Sequence, residues 1–273
     1  MSFGQRLRYG AEAAIFFAFM AFFRLLGLET ASRLGGWIGR NIFALLPPDR
    51  IARANLAVAF PEKSATERDA IRMAMWDNLG RVVAEYPHLE NLSLLGDDPR
   101  IVVTALTPDR PQDYSGQALL LLSGHFANWE VLPIAAQQTG LDGAGVVRPP
   151  NNPYIADWIA RQRAINGPGL LIAKHSAMRP MFTQLRRGKA LYMLIDQKLR
   201  EGVAAPFFGR DAMTTPAPAA LALKTGARVL FVANRRTDGP RFHLTVTPGP
   251  DFTPTGDEAG DVRRLTALFN ARI

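Results

Sequence analysis

The chain has 273 residues, of which 48% are hydrophobic and 21% charged, with a formal net charge of +8. This length and balance fit one sizeable α/β domain with a smaller appendage and exclude a disordered chain. Cysteine is absent, which excludes disulfides, thiolate catalysis and Cys-ligated zinc.

The positive charge points to anionic partners: lipid headgroups, an acidic carrier protein or nucleic acid. No RNP-like motif, zinc finger or basic zipper appears, so nucleic acid is not expected.

From Ala13 to Phe23 the chain carries no polar side chain, and Leu25-Leu26-Gly27-Leu28 follows Arg24. A full membrane span needs about 20 apolar residues, and Glu12 and Arg24 bracket a shorter core. The segment reads as a membrane-anchoring helix, spanning or interfacial, within an anchoring region over residues 1–47. A buried core helix and a cleaved signal are the alternatives. Arg33, Arg40, Arg50 and Arg53 follow, so the positive-inside rule puts residues 48–273 on the cytoplasmic side.

Thr30 or Ser32 can cap a second helix running to about Leu46, where Pro47-Pro48 stops it. Gly35, Gly36 and Gly39 fall inside it and read as close helix packing. Ser64-Ala65-Thr66-Glu67 is a capping box opening a helix to about Tyr86. The pattern then changes. Ala118 to Leu122 is a short, wholly apolar run, the mark of a strand buried on both faces. Similar runs lie at 145–147, 170–172, 191–195 and 229–233. Helical stretches fall between, at 129–138, 153–165, 178–187 and 218–225, and Phe242 to Val246 alternates like a half-exposed strand. The order predicts an α/β fold with a mostly parallel central sheet flanked by helices.

Open α/β sheets bind ligands beyond the carboxyl ends of their strands. The first buried strand leads into Ser123-Gly124-His125-Phe126-Ala127-Asn128-Trp129-Glu130, the second into Arg148-Pro149-Pro150, and the fourth into Asp196-Gln197-Lys198. A histidine, two acids and an arginine thus gather on one sheet edge. His125 and Glu130 flank a strand–helix junction, where a carboxylate on one ring nitrogen would fix the tautomer and raise the basicity of the other. A general base for attack of an alcohol on an acyl carbonyl needs that. The helix N-terminus would offer free N–H groups to an oxyanion or phosphate. On spacing alone, a histidine that merely caps the helix is an equal alternative.

Gly124-His125 with Asn128-Trp129-Glu130 resembles the His-x4-Asp/Glu block of glycerolipid-type acyltransferases, in the form typical of the late acyltransferases of lipid A biosynthesis. Val147-Arg148-Pro149 with Asn152-Pro153, continued by Arg161 or Arg163 and Gly167, is similar to that family's second block. Asp196-Gln197 with Pro206-Phe207-Phe208-Gly209 is similar to the third, and Thr215-Pro216 with Pro218 to the fourth. The matches run in order from Gly124 to Ala219.

The resemblance implies His125 as base, Glu130 as its orienting partner and Arg148 as a phosphate contact. It places Arg161, Asp196, Gln197, Phe208, Gly209 and Pro216 about the substrate. It implies no metal and no cofactor, the acyl chain arriving as a phosphopantetheine thioester on acyl carrier protein. The acceptor it implies is a glycolipid hydroxyl of a lipid A precursor, with a lysophospholipid or a mannosylated phosphoinositide as alternative. The expected address is the inner membrane, and the expected state a monomer. Family members continue into a basic, Trp-bearing tail that is expected to be missing here.

Among other residues, His88 is expected at the surface, His175 in local structure, and His243 packed or facing solvent on its strand. No His-Glu-x-x-His or acidic cluster points to a catalytic metal. Ser123 has no G-x-S-x-G elbow, which leaves a serine esterase as a minor alternative. Trp129, Phe207, Phe208 and Met213 are candidate walls for the acyl chain.

Overall fold

A computed structural model describes residues 1–107, 111–114, 116–164, 170–173 and 178–273; Gly167, His175 and Ser176 lie outside them. The chain forms two compact units. One comprises Met1–Leu92, Pro150–Ile165 and Arg236–Arg241, the other Ser93–Pro149, Asn166–Arg235 and Phe242–Ile273. Helices and strands are numbered in chain order.

The first unit is helical, with α1 (Phe3–Leu25), α2 (Leu28–Asn41), α3 (Pro48–Ala59), α4 (Ala65–Glu85) and α6 (Pro153–Ala164). The capping box forms as the sequence predicts: the Glu67 N–H donates to Ser64 Oγ at 3.2 Å, and the Ser64 N–H to Glu67 Oε2 at 2.8 Å. Helix α2 ends at Asn41, short of the expected Leu46, and a 3-10 turn, Phe43–Leu45, follows. Pro48 then does more than stop a helix. It opens α3 from within the first turn, where the missing N–H costs nothing.

Gly35 and Gly39 of α2 meet Gly80 of α4 backbone to backbone. A Cβ on Gly39 would overlap the Trp76 carbonyl, and one on Gly80 the Gly35 carbonyl. Close packing is thus the role of these glycines. Beside them Asp49 accepts from Arg72 (2.7 Å), Trp76 Nε1 (2.6 Å) and Arg53 Nε (2.7 Å). Burial pushes its carboxyl up, but these donors outweigh burial and bring it down to about 2. The buried Glu85 carboxylate pairs with Arg236 and accepts from Ser32 Oγ at 2.7 Å.

One expectation is corrected here. His88 is buried, not at the surface, because its Nε2 bonds the Phe23 carbonyl at 2.9 Å. As for a membrane span in α1, no helix among the described residues is long and apolar enough to cross a membrane. Arg24 pairs with Glu90 and bonds the Pro87 carbonyl at 2.6 Å. Phe3, Leu7, Ile15, Phe22 and Leu25 of α1 remain exposed.

The second unit is built on the mostly parallel sheet. Its strands are β1 (Ile101–Ala105), β2 (Leu119–Ser123), β3 (Gly143–Val147), β4 (Leu170–Ala173), β5 (Ala190–Leu194), β8 (Arg228–Asp238) and β9 (Arg241–Pro248). Their order is β1-β9-β8-β2-β5-β3-β4. Strands β8 and β9 are joined by a two-residue turn, which only antiparallel neighbours allow; the pairs β1–β9, β8–β2, β2–β5, β5–β3 and β3–β4 are parallel. Every residue of β2 is buried, as its apolar run requires.

Helix α5 (Val131–Gln138) covers one face. On the other lie α7 (Met178–Arg186), α8 (Ala217–Thr225) and α9 (Glu258–Asn270). There Leu120, Leu122, Leu191, Met193 and Phe231 pack against Met181, Leu185, Leu221, Leu265 and Phe269. A separate hairpin, β6 (Val203–Phe207) with β7 (Arg210–Thr214), is tied to α9 by Asn270 Nδ2, which donates to the Pro206 carbonyl at 3.1 Å. Strand β1 and this hairpin had no clear sequence signal: β1 is half-exposed and lacks a continuous apolar run, and β6 contains a proline.

Candidate active site

Strands β2 and β5 are parallel neighbours with Ser123 opposite Leu194, so the residues that follow each strand emerge side by side. His125 follows one and Asp196-Gln197 the other. Asp196 grips residue 125 at two points. Its Oδ2 accepts from the His125 main-chain N–H at 2.7 Å, and its Oδ1 lies 2.7 Å from the ring Nδ1. Gly124 leaves room for this: a Cβ there would sit 3.1 Å from Asp196 Oδ2 and 2.9 Å from the Phe126 ring.

Burial raises the Asp196 carboxyl, but the ring and main-chain hydrogen bonds from His125 outweigh it, and the net shift is downward. The carboxylate is therefore ionised at neutral pH and can only accept, so Nδ1 carries a proton, and in the neutral ring the lone pair is on Nε2. Gln197 Nε2 stands 3.3 Å from that nitrogen as a donor. The Trp129 ring meets the imidazole edge-on, with centroids 5.0 Å apart.

The loop that follows is pinned to the sheet. Asn128 is fully buried, and its Oδ1 accepts from the Glu130 N–H at 3.1 Å. Asn234 Nδ2 donates to the carbonyls of Asn128 (2.8 Å) and Phe126 (3.2 Å) from β8. Ala127 takes φ 43°, a left-handed conformation that a residue with a Cβ seldom adopts. Sequence reasoning named Asn128 only as a member of the motif block and missed Asn234. The signal for Asn234 was a polar residue closing an otherwise apolar strand.

Glu130 does not occupy the place expected of it. The carboxylate on Nδ1 belongs to Asp196, because the ends of two adjacent strands are aligned. Glu130 is 3% exposed and stands at the N-cap of α5, beyond the turn at Ala127. The N–H groups expected to be free there are engaged too: Val131 donates to the Asn128 carbonyl and Leu132 to that of Trp129.

Arg148 is exposed, immediately past the carboxyl end of β3, and β3 lies beside β5 with the same polarity. It thus shares the sheet edge of His125 and Asp196. Arg161 belongs to the first unit and pairs with Asp157 one turn away on α6. Asn152, also of that unit, donates to the Tyr9 carbonyl at 2.9 Å and to Glu12 Oε2 at 3.1 Å. Phe208 (φ 48°) and Gly209 (φ 70°) form the tight turn of the β6–β7 hairpin, with Phe208 exposed. Both central residues of such a turn must have positive φ, which explains the glycine. Pro216 is the N-cap of α8.

Ser123 is fully buried and its hydroxyl donates to the Val232 carbonyl at 2.6 Å, which withdraws it from a nucleophile's role. Among the described residues no group of three or more His, Asp or Glu could hold a metal ion.

A family model described as bacterial lipid A biosynthesis acyltransferase matches residues 1–273. A lipid A biosynthesis lauroyltransferase of Escherichia coli (strain K12) is 27% identical over 238 residues, covering 83% of this chain and 74% of that protein. A lipid A biosynthesis acyltransferase of Haemophilus influenzae is 24% identical over 249 residues, covering 87% and 76% respectively. A lipid A biosynthesis palmitoleoyltransferase of Escherichia coli (strain K12) is 25% identical over 236 residues, covering 81% and 74%. With a match along its whole length and a histidine held by a carboxylate at the strand ends, this chain belongs to the bacterial lipid A biosynthesis acyltransferase family and is an acyltransferase.

Proposed function

We propose that this acyltransferase moves a fatty acyl chain from acyl carrier protein to a hydroxyl of a lipid A precursor, with His125 as general base. The observation that carries the reading is the two-point grip of Asp196 on His125. It leaves Nε2 as the proton-accepting atom. Nε2 takes the proton of the acceptor hydroxyl while that oxygen attacks the thioester carbonyl. The tetrahedral intermediate then collapses, the carbon–sulfur bond breaks, and the departing phosphopantetheine sulfur receives the proton from Nε2. Asp196 stabilises the imidazolium between the two transfers, as the third member of a nucleophile–base–carboxylate set does. Glu130 stands buried at the N-cap of α5.

Arg148 suits a phosphate of the acceptor or of the donor's pantetheine arm, since a guanidinium binds phosphate through two parallel hydrogen bonds. The net charge of +8 favours both anionic partners. Such an acceptor stays in its bilayer, because each buried methylene is worth about 0.8 kcal/mol. We therefore assign the enzyme to the cytoplasmic face of the inner membrane, with the exposed apolar residues of α1 and the nearby Arg6 and Arg8 lying in the interface.

The deciding experiment is transfer of a radiolabelled acyl group from acyl carrier protein to an under-acylated lipid A precursor. Product formation that disappears in His125→Ala is the expected result. Transfer only to a lysophospholipid or a mannosylated phosphoinositide would overturn the acceptor, and full activity of the variant would overturn the base.

A further inference from the structure

The lone pair that a general base needs is already engaged in this structure. With its proton held on Nδ1 by Asp196, the neutral imidazole of His125 has one lone pair, on Nε2. Gln197 Nε2 lies 3.3 Å from it. Only the –NH2 end of an amide can face that nitrogen favourably, so Gln197 donates and the base is capped. Asp196 and Gln197 are consecutive residues. The end of β5 therefore supplies both ring partners, a carboxylate for one nitrogen and an amide for the other.

The cap has a consequence for a thioester held at this base. The His125 side chain is 30% exposed, so water reaches the ring. A water bonded to Nε2 would be activated as any hydroxyl is. Nε2 would take its proton and its oxygen would attack the thioester carbonyl. The carbon–sulfur bond would then break, and the sulfur would receive the proton from Nε2. The products are a free fatty acid and the carrier's thiol, and the acyl group is wasted. One lone pair accepts one donor, so the amide and a water exclude each other at Nε2.

Water and the acceptor hydroxyl must both displace the amide, but they differ in what drives the displacement. Water makes no other contact. A glycolipid makes many contacts far from its reacting oxygen, and that binding free energy can be spent on moving the amide. Gln197 is exposed, which leaves it room to swing away.

We propose that Gln197 is a specificity-determining residue, whose amide caps Nε2 against water and yields to an acceptor bound at other points. The inference rests on the acyl-transfer reading above and adds how one base discriminates between its acceptor and water.

The test uses the full chain and acyl carrier protein bearing a radiolabelled acyl group, with a lipid A precursor as acceptor. Free fatty acid and acylated acceptor are counted together. Gln197→Met removes the donor at nearly equal length, Gln197→Ala removes the side chain, and thermal melts establish that each variant folds. The ratio of hydrolysis to transfer should rise about two- to tenfold in both, the factor that corresponds to the net worth of one neutral hydrogen bond. A ratio that stays at the wild-type value in both folded variants overturns the proposal. Equal losses of hydrolysis and transfer would also overturn it, because they would make the amide a donor to the oxyanion that both reactions share.

A second measurement needs no acyl donor. Diethyl pyrocarbonate attacks the unprotonated nitrogen of an imidazole, which in His125 is Nε2. Peptide mapping then gives the labelling rate at His125, which should be about two- to tenfold higher in Gln197→Met than in wild type. Equal rates overturn the proposal even where transfer proceeds. A faster rate supports it even if no lipid A precursor is acylated, a result that would count against the acceptor alone.

Discussion

Asp196 reaches His125 through both carboxylate oxygens, one on the main-chain N–H and one on the ring Nδ1, each at 2.7 Å. The arrangement fixes the imidazole in orientation and in tautomer together. Asp196→Asn would separate these effects, because an amide –NH2 aimed at Nδ1 forces the ring proton onto Nε2. Activity should fall roughly 10²–10⁴-fold with little change in secondary structure. Steady-state kinetics and circular dichroism check this, and near-normal turnover would remove Asp196 from the mechanism.

The same carboxylate makes an acid-stability prediction. Its folded-state pKa lies below the ordinary value, so the stability it contributes is complete above an unfolded pKa of about 3.9. That contribution is lost as pH falls through the lower folded value. Thermal melts of wild type and Asp196→Asn should therefore differ at neutral pH and converge as the solution is acidified below about pH 4. A gap that stays constant into strong acid would contradict the linkage.

Gly124→Ala tests the space on which the grip depends. The added methyl would press on Asp196 Oδ2 at 3.1 Å and on the Phe126 ring at 2.9 Å. Overpacking of this kind costs about 1–3 kcal/mol. Turnover should drop at least tenfold while substrate KM changes little, because the displaced group is the base and not a binding wall. A variant with wild-type kcat would mean that the loop relaxes freely.

In the first unit, Gly39→Ala should destabilise strongly, since its Cβ would overlap the Trp76 carbonyl, whereas Gly10 of α1 faces open space. Gly10→Ala should be neutral or stabilising by up to about 1 kcal/mol, the difference in helix propensity. The denaturant midpoint should thus fall for Gly39→Ala and hold or rise for Gly10→Ala. Equal behaviour would deny the close crossing of α2 and α4.

Arg148→Lys keeps the charge and loses the two-pronged fork. Varying each substrate in turn should show a raised KM for the phosphorylated one that Arg148 contacts. With a dephosphorylated acceptor, mutant and wild type should converge if the acceptor phosphate is its target. A defect of unchanged size would move the contact to the donor.

Periodicity alone disclosed much of this protein. The Ala118–Leu122 run read as a strand buried on both faces, and the alternation of such runs with helices implied a mostly parallel sheet. The Ser64–Glu67 capping box and the clustered glycines of α2 announced a helix start and a close crossing, because short-range backbone sterics and local hydrogen bonds decide both. The ordered motif blocks identified the family. What the chain could not disclose is which carboxylate meets the imidazole. Glu130 is near His125 in sequence and Asp196 is 71 residues away, yet strand order puts β5 beside β2 and brings the distant residue to the ring. Hydrogen bonding between strands is indifferent to separation along the chain, so strand neighbours cannot be read from local pattern. For the same reason the burial of His88 on the Phe23 carbonyl and the hold of Asn234 on the catalytic loop were set by tertiary packing alone.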